Sequence, residues 1–455
     1  MNHLFYFFQK IGVDKSIAYS SGSRVVQGVT GVASIFFITT YLTGVEQGFY
    51  YTFGSLLALQ VFFELGLTWV ITQFVAHESS HLRLNPHLVY EGEQVFLSRL
   101  ASLVHFCVKW YFYLAIVVFL FLSFLGYFFF SRYGEDEEII SWQIPWILIC
   151  LGTAIKIFQS PFNSFFTGLG KVKEMSKIGF WQQIFLPLST WLGLILGFKL
   201  YVVGIGYLIS VLIWQLFVWN TDLSKIIINL WKVEITERVS YFKELFPYQW
   251  RIALSWVSGY FIFQLFNPVL FATEGAVVSG QMGMTLHALN AIQSFSYSWL
   301  HTKVPLYSKL IALKDYLSLD NLFNRTLKQM TRVCLFLLLF FLLVIWFINI
   351  SQFRFGNTLL SDRFLGILPT FLLMVPYYLQ QYIYSWATYL RCHKKEPFLV
   401  NSVCSGLLHC VCIIYFGNLF GLYGVIITYL CISITFFPWG YRIYVTNKRK
   451  WHAKN

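Results

Sequence analysis

Twelve stretches of roughly 20 apolar residues each limit what this chain can become. They run 17–43, 47–76, 104–130, 142–167, 180–198, 201–220, 242–272, 277–301, 332–350, 362–391, 398–416 and 422–445. A segment of that length crosses a hydrocarbon layer as a helix, because a helix satisfies its backbone hydrogen bonds within one span. Composition agrees: 57% of residues are hydrophobic and 12% charged, with a mean hydropathy of +0.62, whereas soluble domains average about 25% charged residues. The expected fold is an all-α membrane protein with twelve transmembrane helices. The opening "MNHLFYFFQKIGVDKS" has no basic stretch before its apolar part, and no small-residue cleavage site follows, so no cleavable signal is expected. The eight cysteines form no C-x-x-C pair and sit mostly in apolar spans, which implies neither a disulfide framework nor a zinc ribbon.

The formal charge of +13 is unevenly placed. Taken alternately from the N-terminus, one set of loops holds Lys10, Lys15, Arg83, Arg99, Lys171, Lys173, Lys177, Lys225, Lys232, Arg238, Lys243, the basic run 303–332, Arg391, Lys394, Lys395 and the tail "NKRKWHAKN". The other holds Arg132, Lys199, Arg354 and Arg363, against the acidic "GEDEE" at 134–138. Basic loops stay in the cytoplasm, so both termini are expected there. Topology accounts for the positive excess, and no nucleic-acid partner is expected. The outer loops are short, the longest near 131–141. That tells against enzymes working at the outer face, such as glycosyltransferases or polymerases of the polyprenol pathway.

Two halves match weakly. "LGKVKEM" after span 4 resembles "CHKKEP" after span 10, and Arg24 enters span 1 much as Arg251 enters span 7, at offsets of 222 and 227 residues. A parallel repeat follows, two six-helix lobes related by a pseudo-two-fold axis along the membrane normal. The expected divisions are an N-terminal lobe at 1–220, a cytoplasmic linker at 221–246 and a C-terminal lobe at 247–455. Substrate sites in such folds lie between the lobes near mid-membrane.

Charges within the spans are costly and therefore informative. Arg24, Glu64, Lys156 and Arg251 lie at an estimated depth of roughly 10–18 Å from the cytoplasmic ends, at about 1.5 Å of rise per residue. Lys109 is shallower and can snorkel. The deeper four form a cationic layer suited to an anionic substrate, and the planar fork of arginine binds phosphate oxygens in pairs. A simpler role for Arg24 and Glu64 is to pair and hold spans 1 and 2 together. Gln60, Asn267, Asn290 and Gln293 are candidate contacts for sugar hydroxyls, or bonds between helices. Pro161, Pro268 and Pro376 fall inside spans 4, 7 and 10 and should bend them.

With these residues in place, the chain resembles the Wzx-type polysaccharide flippases, in the superfamily that also holds the MATE multidrug exporters. The resemblance runs along the whole chain. Its most specific stretches are "YLTGVEQGFYYTFGSLLALQVFFELGL" (41–67), "QFVAHESSHL" (73–82), "RLASLVHFCVKWY" (99–111), "FPYQWRIALSWVSGYFIFQLFNPVLF" (246–271) and "YLRCHKKEP" (389–397). It implies a V-shaped bundle that carries undecaprenyl-pyrophosphate-linked oligosaccharide, such as an O-antigen repeat unit, to the outer leaflet of a bacterial inner membrane by alternating access. It implies no enzymatic activity and no cofactor, and leaves open coupling to a proton or sodium gradient. Membrane lipids are expected partners, with a polysaccharide polymerase and a chain-length regulator as protein candidates. By resemblance to related lipid flippases, Arg24 and Arg251 would bind the pyrophosphate. Lys156 joins them on the charge argument alone, and Glu64 is the candidate for gating or coupling.

One motif points elsewhere. His77, Glu78 and His81 form the zincin pattern H-E-x-x-H. A zinc protease needs a third ligand and an open position. The six aspartates, Asp14, Asp136, Asp222, Asp315, Asp320 and Asp362, all fall in loops or at span ends. The segment also resembles the "HE" that closes span 2 in these flippases. Glu78 and the histidines are expected to tether a helix end, with no metal bound. Two rival functions remain. A MATE-type drug or cation exporter needs intramembrane carboxylates, and Glu64 alone is on offer. A polyprenol-pathway transferase or polymerase lacks the outer loops it would need.

Overall fold

The computed structural model describes residues 15–134, 140–355, 358–393 and 395–452; the side chains of 15–22, 24, 25, 248, 251, 355 and 358 lie outside the description. The architecture is nearly all helical. In chain order the helices are α1 (Lys15–Tyr41), α2 (Gly44–Leu57), α3 (Val61–Glu64) and α4 (Leu67–Ser79). Next come α5 (Gln94–Tyr133), α6 (Gln143–Gly168), α7 (Val172–Ile195), α8 (Tyr201–Trp219) and α9 (Leu223–Trp231). The remainder are α10 (Phe246–Phe263), α11 (Phe266–His301), α12 (Val304–Ala312), α13 (Tyr316–Ser351), α14 (Ile367–Arg391) and α15 (Leu399–His452). Two small antiparallel hairpins complete the described structure, β1 (Leu82–Leu84) with β2 (Tyr90–Gly92), and β3 (Arg354–Phe355) with β4 (Thr358–Leu359).

Seven of these helical stretches are long and apolar enough to cross a membrane, and the bent pair Gly44–Glu64 with Leu67–Ser79 makes an eighth. Two stretches count double. Gly275 (φ 86°, ψ 177°) interrupts α11 and divides the end of the span that α10 begins from the next span, and Gly421 (φ 55°, ψ −133°) divides α15 into two spans. With α1 and α14, the described helices then match the twelve apolar segments one for one. Glu274 beside Gly275 accepts the Leu422 N–H at 2.6 Å, which caps the helix that starts after Gly421.

The helices are apolar on both sides, as lipid-facing spans must be. Helix α5 buries Leu103, Cys107, Tyr111, Val118 and Leu122, yet turns Tyr113, Leu120 and Phe124 outward at 60–73% exposure. Pro161 and Pro376 sit inside α6 and α14. Pro268 sits differently. Span 7 is broken between Phe263 and Phe266, and Pro268 lies in the first turn of the restarted helix, where its missing N–H costs nothing.

The chain forms two compact units. One comprises Met1–Val26, Leu59–Ser131 and Ser141–Trp256; the other comprises Gln27–Ala58, Arg132–Ile140 and Val257–Asn455. The lobes expected at 1–220 and 247–455 are contiguous in sequence, whereas these units interleave: 27–58 packs with the second half of the chain. The reason lies in α2, which packs on α11 through glycines. In the first unit, α6 packs against α4 and α8, and α7 lies along α8. There the linker is strapped onto α5: Ser98 Oγ accepts the N–H groups of Thr236 and Glu237 at 2.8 Å each and donates to the Glu237 carbonyl at 3.0 Å. In the second unit, Phe266, Leu270, Met282, Leu338, Leu373, Ile426 and Tyr429 form a buried core.

Candidate functional site

The break in span 2 is built by the backbone. Helix α2 gives way to a 3₁₀ turn at Ala58–Gln60, and the four-residue α3 ends at Glu64. Leu65 (φ 49°) and Gly66 (φ 68°) are then both left-handed, and α4 begins anew. A left-handed leucine is strained, and such strain collects at sites where structure serves function. A broken span at membrane depth is tolerated where it lines a cavity or is buried in protein.

Glu64 sits at this break. Its Oε1 accepts a hydrogen bond from Ser160 Oγ of α6 at 3.0 Å, and Thr68 of α4 donates to the same carboxylate. Ser160 Oγ also lies 2.8 Å from the Ile157 carbonyl. Pro161 is the cause, since with no N–H it leaves that carbonyl without its usual helical donor. One hydroxyl proton thus serves two acceptors, the carbonyl and the carboxylate. Tyr111 adds a buried hydroxyl without a hydrogen-bond partner among the described residues.

Lys156 lies one helical turn before Ser160 on α6. Its ammonium sits 5.0 Å from the centre of the Tyr207 ring, a cation–π contact, and the side chain is exposed. Among the described residues it makes no ion pair. Helix α10 closes in on the break as well. A Cβ built on Gly66 would lie 2.5 Å from Ile252 Cγ2 and 3.9 Å from Trp256. The backbone of Arg251, beside Ile252, is therefore carried on the helix that packs against the break.

Glu64, Lys156 and the helix turn bearing Arg251 all lie within the first unit. Arg24 belongs to the same unit, on α1. The side chains of Arg24 and Arg251 lie outside the described residues, and with them the expected Arg24–Glu64 contact. Gln60 is half-buried in the 3₁₀ turn. The other candidate glycan contacts belong to the second unit. Asn267 is buried and donates to Ser55 Oγ at 3.3 Å, Asn290 accepts from the Tyr377 hydroxyl at 3.0 Å, and Gln293 is half-buried. Sequence reasoning missed Ser160, Thr68 and Tyr207. Ser160 had a signal, a hydroxyl directly before an intramembrane proline and one turn from a lysine; Tyr207 had none, because its ring meets Lys156 across two helices.

The H-E-x-x-H segment closes α4. Glu78 is 2% exposed, and its Oε1 accepts from Arg99 Nε at 3.1 Å. Arg99 Nη2 also reaches Glu244 Oε2 at 2.6 Å, just before α10. One arginine thus clamps the end of span 2 to the start of span 7. His81 stacks on Phe96 with ring centres 3.9 Å apart, and His77 is exposed. Among the described residues no three His, Cys, Asp or Glu side chains gather as a metal site would require. The glutamate is held as a structural anion. Removing Arg99 would leave it buried with only the exposed His77 Nδ1 near it, at 3.7 Å, at a cost of up to about 3–5 kcal/mol. Arg99→Ala should therefore melt well below the native protein in a thermal-shift assay, and adding Glu78→Gln should recover part of the loss. An unchanged melting temperature would remove the clamp from the account.

No family model and no curated protein matches the sequence. Solved structures do match in shape. An inward-facing multidrug resistance MATE family transporter of the MOP superfamily aligns over 93% of this chain and 99% of its own, with a TM-score of 0.61 at 14% identity. The fold is that of the MATE transporters. The outward-facing conformation of such a transporter aligns over 95% of this chain and 96% of its own, with a TM-score of 0.56 at 14% identity. A MOP superfamily transporter from Pyrococcus furiosus, whose reversed binding-pocket polarity is taken to suggest a different function, covers 94% of this chain and 96% of its own, with a TM-score of 0.54 at 15% identity. The all-α, twelve-helix, two-lobe membrane fold expected from the sequence is therefore the fold observed.

Proposed function

We propose that this protein is a flippase that carries undecaprenyl-pyrophosphate-linked oligosaccharide from the cytoplasmic to the periplasmic leaflet of a bacterial inner membrane by alternating access. The observation that carries this reading is the charge balance around the broken span. Glu64 is occupied by hydroxyl donors, while Lys156 rests against the Tyr207 ring and makes no ion pair among the described residues. Arg24 and Arg251 add two more cations at similar depth in the sequence. A cationic environment in low dielectric favours a pyrophosphate over a cationic drug. The polar groups Gln60, Asn267, Asn290 and Gln293 would meet the glycan. The reading requires no cofactor and leaves open coupling to a proton or sodium gradient.

One observation favours a second reading, drug export: two of the matching structures are multidrug transporters. The fold is common to both readings, so pocket polarity has to separate them. The test is a strain lacking the protein. Lipid-linked glycan should accumulate on the cytoplasmic side while surface glycan disappears, and sensitivity to cationic drugs should stay the same. Normal surface glycan with increased drug sensitivity would overturn the flippase reading in favour of export.

A further inference from the structure

Helix α13 sorts its side chains by face along its whole length. Leu319, Phe323, Met330, Cys334, Leu338 and Ile345 are buried, at spacings that keep them on one side of the helix. The opposite side is exposed, and it changes character along the axis. In its later turns it is apolar: Phe336, Leu339, Leu343 and Phe347 are 50–67% exposed. A membrane span turns such a face to acyl chains. Nearer the start of the helix the same face carries Arg325, Lys328 and Arg332, all exposed. Steps of three and four residues set these positions one above another. They extend over roughly 10 Å of the helix axis, given the rise per residue of an α-helix.

That spread matches where headgroups lie. The polar layer on each side of a bilayer is roughly 5–7 Å deep. Arg332 opens the apolar segment 332–350, so it sits at the edge of the hydrocarbon, with Lys328 and Arg325 among and just beyond the headgroups. Nearby acids are engaged elsewhere. Asp315 accepts the Ser318 N–H at 3.1 Å, and Asp320 holds Lys448 at 2.9 Å and the Tyr389 hydroxyl at 2.7 Å. Glu396, after α14, is held by Arg391 at 2.7 Å. Lys303 and Lys309, exposed in the elbow before α13, add further positive charge.

We infer that this face of α13 binds an anionic phospholipid. Its phosphate lies on Arg325, Lys328 and Arg332, and its chains run along Phe336 and Leu339. The lipid is the favoured occupant because the cations continue an acyl-facing stripe on the same face. A soluble anion would use the cations and leave that continuity without a role. Each guanidinium can hold two phosphate oxygens, and the lysine between them adds a third cation. The site shares no residue with the broken span, so it concerns how the protein is seated in its membrane, whatever it transports.

The test uses the full-length protein purified in detergent and two lipids with the same chains, phosphatidylglycerol and phosphatidylcholine. Phosphatidylglycerol should raise the melting temperature by several degrees and bind several-fold more tightly in native mass spectrometry. The difference should shrink as salt is added. Equal effects of the two lipids would overturn the site, and that comparison needs no variant. Arg325→Gln, Lys328→Gln and Arg332→Gln together should abolish the preference. A triple variant that keeps all of it would place the lipid elsewhere and refute the assignment. Lys173→Gln, Lys225→Gln and Arg238→Gln remove the same charge from exposed positions of the first unit and should leave the preference intact. Equal losses in the two triples would reduce the effect to net charge and also refute it. Inorganic phosphate should not stabilise the protein; stabilisation matching that by phosphatidylglycerol would make the ligand a free anion and rule out the lipid.

Discussion

Surface glycan should fall to the level of a strain without the protein when Arg24 and Arg251 are both replaced by alanine. Each arginine lies near the start of the first span of its half of the sequence, and both belong to one compact unit. A pyrophosphate diester carries two negative charges, and each guanidinium can meet one phosphate with two parallel hydrogen bonds. Hydrogen bonds to charged groups contribute about 1.5–3 kcal/mol each. Losing one bidentate contact therefore weakens binding by about a hundredfold or more. Losing both leaves Lys156 alone to hold the headgroup. Arginine-to-lysine changes keep the charge and lose the fork, so they should retain part of the activity. The measurement is surface glycan in the null strain complemented by each variant at matched expression. Full surface glycan from the double alanine variant would sink the cationic mechanism while leaving the fold untouched.

Gly66→Val should be nearly as damaging, for a mechanical reason. Gly66 has φ 68°, and a side chain there meets Ile252 Cγ2 at 2.5 Å. The left-handed backbone costs an L-residue about 1–2 kcal/mol, and a β-branched side chain is worse placed to adopt it. Ile252 cannot turn aside easily because its own χ1 is restricted. Helix α10 must then shift, and with it the backbone of Arg251. Transport should drop sharply while the protein still reaches the membrane. The milder Gly66→Ala should lose less, and Ile252→Ala should rescue the steric part of that loss but not the backbone part. Transport by Gly66→Val at the native rate would show that the break does not position the site.

Much of the fold was legible in the residues, and the reason is the solvent. Lipid demands spans of about 20 apolar residues with internally satisfied backbones, so length and hydropathy alone mark them. The twelve segments read from hydropathy each find a helix among the described residues, and Pro161 and Pro376 lie inside two of them. The capping box Thr43–Glu46 that starts α2 is equally local: Thr43 N–H to Glu46 at 2.8 Å and Glu46 N–H to Thr43 at 3.1 Å.

What the sequence could not state is which distant residues meet. Nothing local to Gly48 says that Ala276 will lie against it, or that a loop arginine at 363 will be buried beside Gln47. Glu64 takes hydroxyl donors from Ser160 and Thr68 that no local pattern announced, because Pro161 frees a carbonyl that draws the serine into place. Glu78 read as the tether of a helix end, and the fold supplies the partners, Arg99 and through it Glu244, 145 residues beyond that arginine. Hydropathy and helix periodicity constrain each span along its own axis. Partners across helices depend on how twelve nearly equivalent cylinders are arranged, and in lipid that arrangement is decided by close packing and a handful of polar contacts rather than by hydrophobic pattern. The sequence alone therefore determined the apolar spans and the all-α membrane fold class, and only the tertiary structure decided where a span breaks, what holds Glu64, and which glycines meet.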